Sequence, residues 1–171
     1  CSARPEPWAC WDGGRSAWRR AVFAGYKDRP RSAGAPHLAE CFAQRPVIRE
    51  ALGAFGVDQL EVPGVEADDL VAACALDAAP GGAVILSTDR DYYQLVSERV
   101  SVYVGAGPDA RNVCAASFAA ETGKSCPGEW HAYRIVNGDD SDAIPRVTGL
   151  SGEKRWERVY HVLWMMEYEG D

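Results

Sequence analysis

The run Ala83-Val84-Ile85-Leu86 stops abruptly in Ser87-Thr88-Asp89-Arg90-Asp91. Four apolar residues bounded by turn formers predict a short buried strand. Two carboxylates then stand two residues apart at its end. If the chain stays extended there, a period of two puts Asp89 and Asp91 on one side. Two anions held close repel, and a hard divalent cation is the simplest group to neutralise them. The plainer alternative is that Asp91 caps a following turn and Asp89 is a solvated loop acid.

The same arrangement recurs along the chain. The strand candidate Trp8-Ala9-Cys10-Trp11 leads straight into Asp12-Gly13-Gly14, which also fits a plain Asp-Gly turn. A strand over 59–62 turns at Pro63-Gly64 and gives way to Glu66-Ala67-Asp68-Asp69, opening a helix to about residue 79. Acids in a first turn are favoured by the helix dipole by about 0.3–1 kcal/mol each. Three in four positions exceeds what one helix end needs, and Glu66 and Asp69 share a face. A further cluster is Asp139-Asp140-Ser141-Asp142. Strands alternating with helices predict an α/β fold with a mainly parallel sheet flanked by helices. Its strand C-termini line one edge, where these acids should converge.

Between the acidic clusters lies a basic segment. Arg15, Arg19, Arg20, Lys27, Arg29 and Arg31 face only Asp28, with Trp18, Phe23 and Tyr26 interleaved. Cations mixed with aromatics suit phosphate contacts and base stacking. A solvated amphipathic helix whose aromatics enter the core is the alternative. Residues 15–25 are predicted helical. Residues 38–55 have helical apolar spacing and read as purely structural, with Pro46 kinking the helix or starting its second half. A strand is predicted over 100–104, a turn over 105–111, and helices over 114–122 and 127–136. A Gly-containing hairpin over 148–155 then opens a last helix to about 166. Gly-rich turns before helices present backbone N–H groups to phosphate, a role that Lys154 and Arg155 fit. A plain connection between two helices fits the spacing equally well.

A chain of 171 residues suits one domain with a sizeable core. A net charge of −7 argues against a protein that coats nucleic acid, but not against a local basic patch beside an acidic metal site. The six cysteines are scattered without a CxxC pair, so zinc is not expected; reduced, buried thiols in a cytoplasmic protein are. No apolar run is long enough to cross a bilayer, and residues 1–11, broken by Pro5 and Pro7, lack the apolar segment of a signal peptide. His37, His131 and His161 stand apart, and no Ser-His-Asp or Cys-His arrangement competes with the acids. All-oxygen ligation selects Mg2+ or Mn2+. Two such ions about 3.5–4 Å apart suit phosphodiester hydrolysis.

Five blocks carry a resemblance over nearly the whole chain, from Trp8 to about Trp164. They are CWDGGRSAWRR with GYKDR, VPGVEADDLVA, ILSTDRDYYQLVS, YRIVNGDDSDAIPRVTGL, and GEK. Together they resemble the 5′-nuclease superfamily: phage 5′→3′ exonucleases, the N-terminal domain of bacterial DNA polymerase I, and flap endonucleases. The resemblance implies a PIN-like α/β core with a basic arch (residues 15–36) within 1–136. A helix–hairpin–helix DNA-binding region, truncated here, would occupy 137–171. It implies hydrolysis of DNA at 5′ ends, flaps or forks with two divalent metals, by a monomer in the bacterial cytoplasm, with no membrane role. By motif match, Asp12, Glu66, Asp68, Asp69, Asp89, Asp91, Asp139 and Asp142 are the metal-site carboxylates. Lys27 and Arg19 match the lysine and arginine of the arch. Arg15, Arg20, Tyr26 and Arg29 would meet DNA on the arch. Gly149, Leu150, Gly152, Lys154 and Arg155 would do so at the hairpin, which often holds a monovalent ion such as K+.

The sequence also departs from that pattern. The family begins with a strand carrying a metal-ligand Asp a few dozen residues before the WDGG block, whereas eleven residues precede Asp12 here. The expectation is a fragment, a degenerate protein, or a strand supplied by another chain. The arch reads as short, the hairpin has GLSGEKR, and Arg146 stands where a Gly is common. Two alternatives therefore accompany the nuclease reading: a non-catalytic, structure-specific DNA-binding protein, and a PIN-type ribonuclease.

Overall fold

The computed structural model describes residues 6–28, 36–78, 80–139, 144 and 146. The chain alternates strands and helices, as its apolar runs dictate. Strand β1 (Trp8–Trp11) pairs in parallel with β2 (Asp58–Glu61), Trp8 opposite Asp58 and Trp11 opposite Glu61. Strand β3 (Ala83–Leu86) pairs in parallel with β4 (Val100–Val104). Among the described residues these are two separate sheets rather than one. A third strand, β5 (Arg111–Val113), lies antiparallel on β4, where the sequence suggested only a turn. Two of its three residues are polar and face out, so no alternation announces it.

Helices α1 (Ala17–Val22), α2 (Pro36–Ala43), α3 (Arg45–Ala54), α4 (Ala67–Ala78), α5 (Phe118–Thr122) and α6 (Pro127–Asn137) complete the order. Pro46 lies in the first turn of α3, so the proline starts a second helix instead of kinking one. The apolar spacing of 38–55 is not a core stripe. Phe42, Val47 and Phe55 are exposed, and no residue of α3 is buried.

The core gathers under α4, which packs against β1, β2 and β3. Its Ala72 and Ala75 are small enough to bring the helix close to Ile85 of β3. Val100, Val102 and Val104 point into the same core, and the intervening Ser101 and Tyr103 do not. Burial of β3 is one-sided: Ile85 is 4% exposed, Leu86 is 80% exposed. Tyr26, Ile135 and Ile144 form a second cluster, with Val22 and Phe23 packed against it. Cys41 and Cys126 are exposed and Cys10, Cys74 and Cys114 half-buried, so the expected fully buried thiols do not occur among the described cysteines. No helix among the described residues is long and apolar enough to cross a membrane.

Candidate active site at the strand ends

Three carboxylates approach one another, two from strand ends and one from the first turn of α4. Asp12 follows β1 directly. The turn that holds it is pinned to the loop before α4: Gly13 donates its N–H to the Val65 carbonyl, and Gly64 donates to the Gly13 carbonyl, both at 2.9 Å. This aims Asp12 at the start of α4, where Oδ1 accepts the Ala67 N–H at 2.9 Å. An anion at a helix N-terminus meets unsatisfied N–H groups and the positive end of the dipole. Asp68 lies in the first turn of α4 and accepts the Tyr92 hydroxyl at 2.9 Å. Asp89 follows β3 and accepts the Asp91 N–H at 2.8 Å. Burial pushes the Asp68 carboxyl above its ordinary pKa; the Tyr92 hydroxyl pulls it back, Asp89 and Asp12 raise it, and Lys27 lowers it. Asp68 therefore lies in the field of both other acids. Burial and Asp68 in turn hold Tyr92 protonated.

The chain does not remain extended beyond Asp89. A 3-10 helix, Arg90–Leu95, begins at once with Asp89 as its cap. Asp91 is therefore not the cap and does not share a side with Asp89 by strand periodicity. It pairs with Arg134 of α6 at 2.7 Å, and the same guanidinium nitrogen also pairs with Asp139. Burial raises the Asp91 pKa to about 6, with Arg134 opposing and Asp89 and Asp139 adding to the rise.

Glu66 and Asp69 form a third group, already occupied by cations. Arg19 reaches both oxygens of Asp69 at 2.6 and 2.5 Å and Glu66 at 3.2 Å. Tyr26 donates its hydroxyl to Glu66 at 2.7 Å, and Lys27 Nζ lies 3.3 Å from the same oxygen. The expected arch geometry is corrected in two places. Arg19, 3% exposed, faces inward rather than toward a polyanion, and Tyr26, also 3% exposed, is too buried to stack on a base. Partners across the fold pull them in: Ser16 starts α1 by accepting the Arg19 N–H, which turns the arginine toward α4. The exposed aromatic of this segment is Trp18, with the Arg19 guanidinium 4.6 Å from its ring centre. Lys27 is half-exposed and adopts φ 51°, in the left-handed region. Arg15 and Arg20 are exposed.

Asp142, Arg29, Gly149, Leu150, Gly152, Lys154 and Arg155 lie outside the described residues, and with them the hairpin and its expected K+. Sequence reasoning missed Tyr92 and Arg134. Arg134 lies five residues before Asp139 at a helix end, where a cation beside an acid was the available signal.

Among the described residues, no three His, Cys, Asp or Glu side chains stand close enough together to hold one metal ion. The chemistry of the donors nonetheless fits a hard cation. Asp12, Asp68 and Asp89 offer only carboxylate oxygens, and none of the ion pairs among the described residues engages them.

Residues 2–123 match the family model described as "5′-3′ exonuclease, N-terminal resolvase-like domain". The chain is 35% identical over 146 residues to the thermostable DNA polymerase I of Thermus aquaticus, covering 84% of this chain and 16% of that protein. It is 31% identical over 163 residues to DNA polymerase I of Mycobacterium leprae (strain TN), covering 94% of this chain and 17% of that protein. The chain thus spans about a sixth of the length of these curated relatives. In structure it is similar to the T5 D15 protein co-crystallised with metal ions, with TM-score 0.70 and 21% identity over 94% of this chain and 62% of that one. A T5 D15 flap endonuclease in a pseudo-enzyme-product complex with DNA and metal ions gives 0.69 and 21%, over 91% and 59%. These structures share the α/β fold of the chain.

Proposed function

Because this chain belongs to the 5′-3′ exonuclease N-terminal resolvase-like domain family, we propose that it is a divalent-metal-dependent 5′-nuclease domain that hydrolyses phosphodiester bonds in DNA at 5′ ends, flaps or forks. The observation that carries this reading is that Asp12, after β1, and Asp89, after β3, act on Asp68 in the first turn of α4, with none of the three in an ion pair among the described residues. Asp12, Asp68 and Asp89 are the carboxylates that would have to close on one Mg2+ or Mn2+, since they do not stand close enough together to hold it as they are, and Asp91 with Asp139 would approach a second. A pair of such cations supplies Lewis acidity for attack of water on phosphorus and relieves charge on the leaving oxygen.

The remaining roles belong to the chain's own side chains. Lys27, half-exposed beside Glu66, faces the acidic edge and can hold a phosphate oxygen there. Arg15 and Arg20 offer exposed cations to the DNA backbone, and Trp18 a ring for a base. Arg19 is a positioning residue: it fixes Glu66 and Asp69, and with them the first turn of α4 that carries Asp68. Tyr92 orients Asp68 by its hydroxyl.

A second reading has its own support. Glu66, Asp69, Asp91 and Asp139 are each engaged by a cationic side chain, as befits an acidic edge that binds forked DNA without cutting it. One experiment separates the two. A labelled 5′-flap duplex is incubated with this chain in Mg2+, in Mn2+ and in EDTA, beside Asp89→Asn. Metal-dependent cutting near the junction, lost in the variant, supports the nuclease. Salt-sensitive binding to forked DNA with no cutting in either metal supports the second reading and overturns the first. A single-stranded RNA substrate run alongside distinguishes a ribonuclease.

A further inference from the structure

Arg134 lies between two carboxylates of the acidic edge, Asp91 and Asp139, and pairs with both. It lies on α6 near the helix end, and its Nη2 donates to Asp91 Oδ1 at 2.7 Å and to Asp139 Oδ2. One nitrogen touches both acids, so those oxygens stand no more than two hydrogen-bond lengths apart. Both carboxylates are turned inward, their side chains 15% and 10% exposed. The backbone on each side is separately anchored. Asp91 gives its N–H to Asp89, and Asp139 exchanges two backbone hydrogen bonds with Ile144. The arginine Nε, by contrast, is buried and makes no hydrogen bond. A guanidinium retained only as a structural clamp would use its five-donor fork across two carboxylate oxygens, as Arg19 does on Asp69. Arg134 instead directs one nitrogen to two acids, the arrangement of a point charge.

We propose that Arg134 is a positioning residue that acts as a resident stand-in for a divalent cation between Asp91 and Asp139. The inference rests on the nuclease reading and adds a regulation of the same site. It has two consequences. The turn after β3 and the turn after α6 are drawn together before any ion arrives. An ion attracted to this pair meets a cation already there, so its binding is weakened by competition.

The test uses the full 171-residue chain with Mn2+ alone as the probe, comparing wild type with Arg134→Gln and Arg134→Lys. Thermal melting is followed by circular dichroism in EDTA and in graded Mn2+, and bound Mn2+ is counted by electron paramagnetic resonance. Arg134→Gln is expected to melt below wild type in EDTA and to regain the wild-type Tm in Mn2+. It should also bind Mn2+ roughly tenfold more tightly, the scale of one charge-assisted hydrogen bond that no longer has to be displaced. Arg134→Lys is expected between the two. Unchanged or weaker Mn2+ binding, or a Tm deficit that Mn2+ does not repair, would overturn the inference and leave a plain ion pair. If Arg134→Gln does not fold, Arg134→Lys carries the comparison beside the double variant Asp91→Asn, Arg134→Gln, in which no tightening is expected. Tightening in the double variant too, or none in Arg134→Lys, overturns the inference. Flap cleavage by wild type is scored separately, so a failed nuclease reading and a failed role for Arg134 give different results.

Discussion

Arg19 and Asp69 are 50 residues apart in sequence and meet as a two-toothed ion pair, with side chains 3% and 5% exposed. This contact joins the basic segment to α4, and through it to β1 and β3, which α4 packs against. A buried pair adds little over a well-packed apolar substitute, because desolvation offsets the Coulomb attraction. Losing one partner is different, because it leaves a buried charge uncompensated.

Arg19→Ala should therefore destabilise the chain by about 3–5 kcal/mol. Glu66 keeps the Tyr26 hydroxyl and Lys27, so most of the loss falls on Asp69. Arg19→Lys should recover only part of it, since an ammonium cannot span both oxygens of one carboxylate. Urea unfolding followed by circular dichroism measures this. A midpoint close to wild type for Arg19→Ala would show that water replaces the pair at no cost.

Asp91 makes stability depend on pH in a direction opposite to that of most ion-paired carboxylates. Its pKa rises from 3.8 to about 6 on folding, burial being the largest cause. The folded state thus holds this proton at pH values where the unfolded chain has released it. The associated stability is fully present below about pH 4 and is lost as pH rises through about 6. At about 1.4 kcal/mol per unit the loss is of the order of 3 kcal/mol. The metal-free chain should therefore lose stability relative to Asp91→Asn between pH 4 and 6, with the difference level above about pH 7. Denaturant titrations of both proteins in EDTA across that range check this. A difference that is flat, or that grows in favour of wild type with pH, would refute it.

Legibility in the sequence followed the range of the interactions. Ala83–Leu86 and Trp8–Trp11 were readable as strands because each is a short apolar run ended by turn formers. The acids at their ends were readable for the same reason. The inward turn of Arg19 was not, and that of Tyr26 stood only as the alternative, because both depend on Glu66 and Asp69, at least 40 residues away, and a basic segment with aromatics looks alike whether it faces DNA or its own acids. Helix α3 shows the converse error, in which apolar spacing imitates a core stripe although no residue of the helix is buried against its described neighbours α2 and β2. The separation of Asp91 from Asp89 turned on a local event, the start of a 3-10 helix in place of continued extension.

The position of Asp12 depends on a residue with no side chain. A Cβ built on Gly13 would stand 1.8 Å from the Val62 carbonyl oxygen, 2.5 Å from its carbon and 3.1 Å from the Pro63 nitrogen. All three are backbone atoms, so no rotamer change relieves the clash, and the turn itself must open. That turn is the one closed by Gly13 to Val65 and by Gly64 to Gly13. Opening it draws Asp12 away from the Ala67 amide and from Asp68 and Asp89. Gly13→Ala should cost about 1–3 kcal/mol, the range for overpacking a tight site. It should also reduce metal-dependent flap cutting at temperatures where the chain is still folded. Gly53→Ala provides the contrast, since within α3 a Cβ meets only the Gln59 amide nitrogen at 3.6 Å. There, helix propensity should add about 0.5–1 kcal/mol with cleavage unchanged. Chemical denaturation of both variants beside a flap-cleavage assay decides the matter: if Gly13→Ala is as stable and as active as wild type, close backbone approach is not what holds Asp12 at the acidic edge.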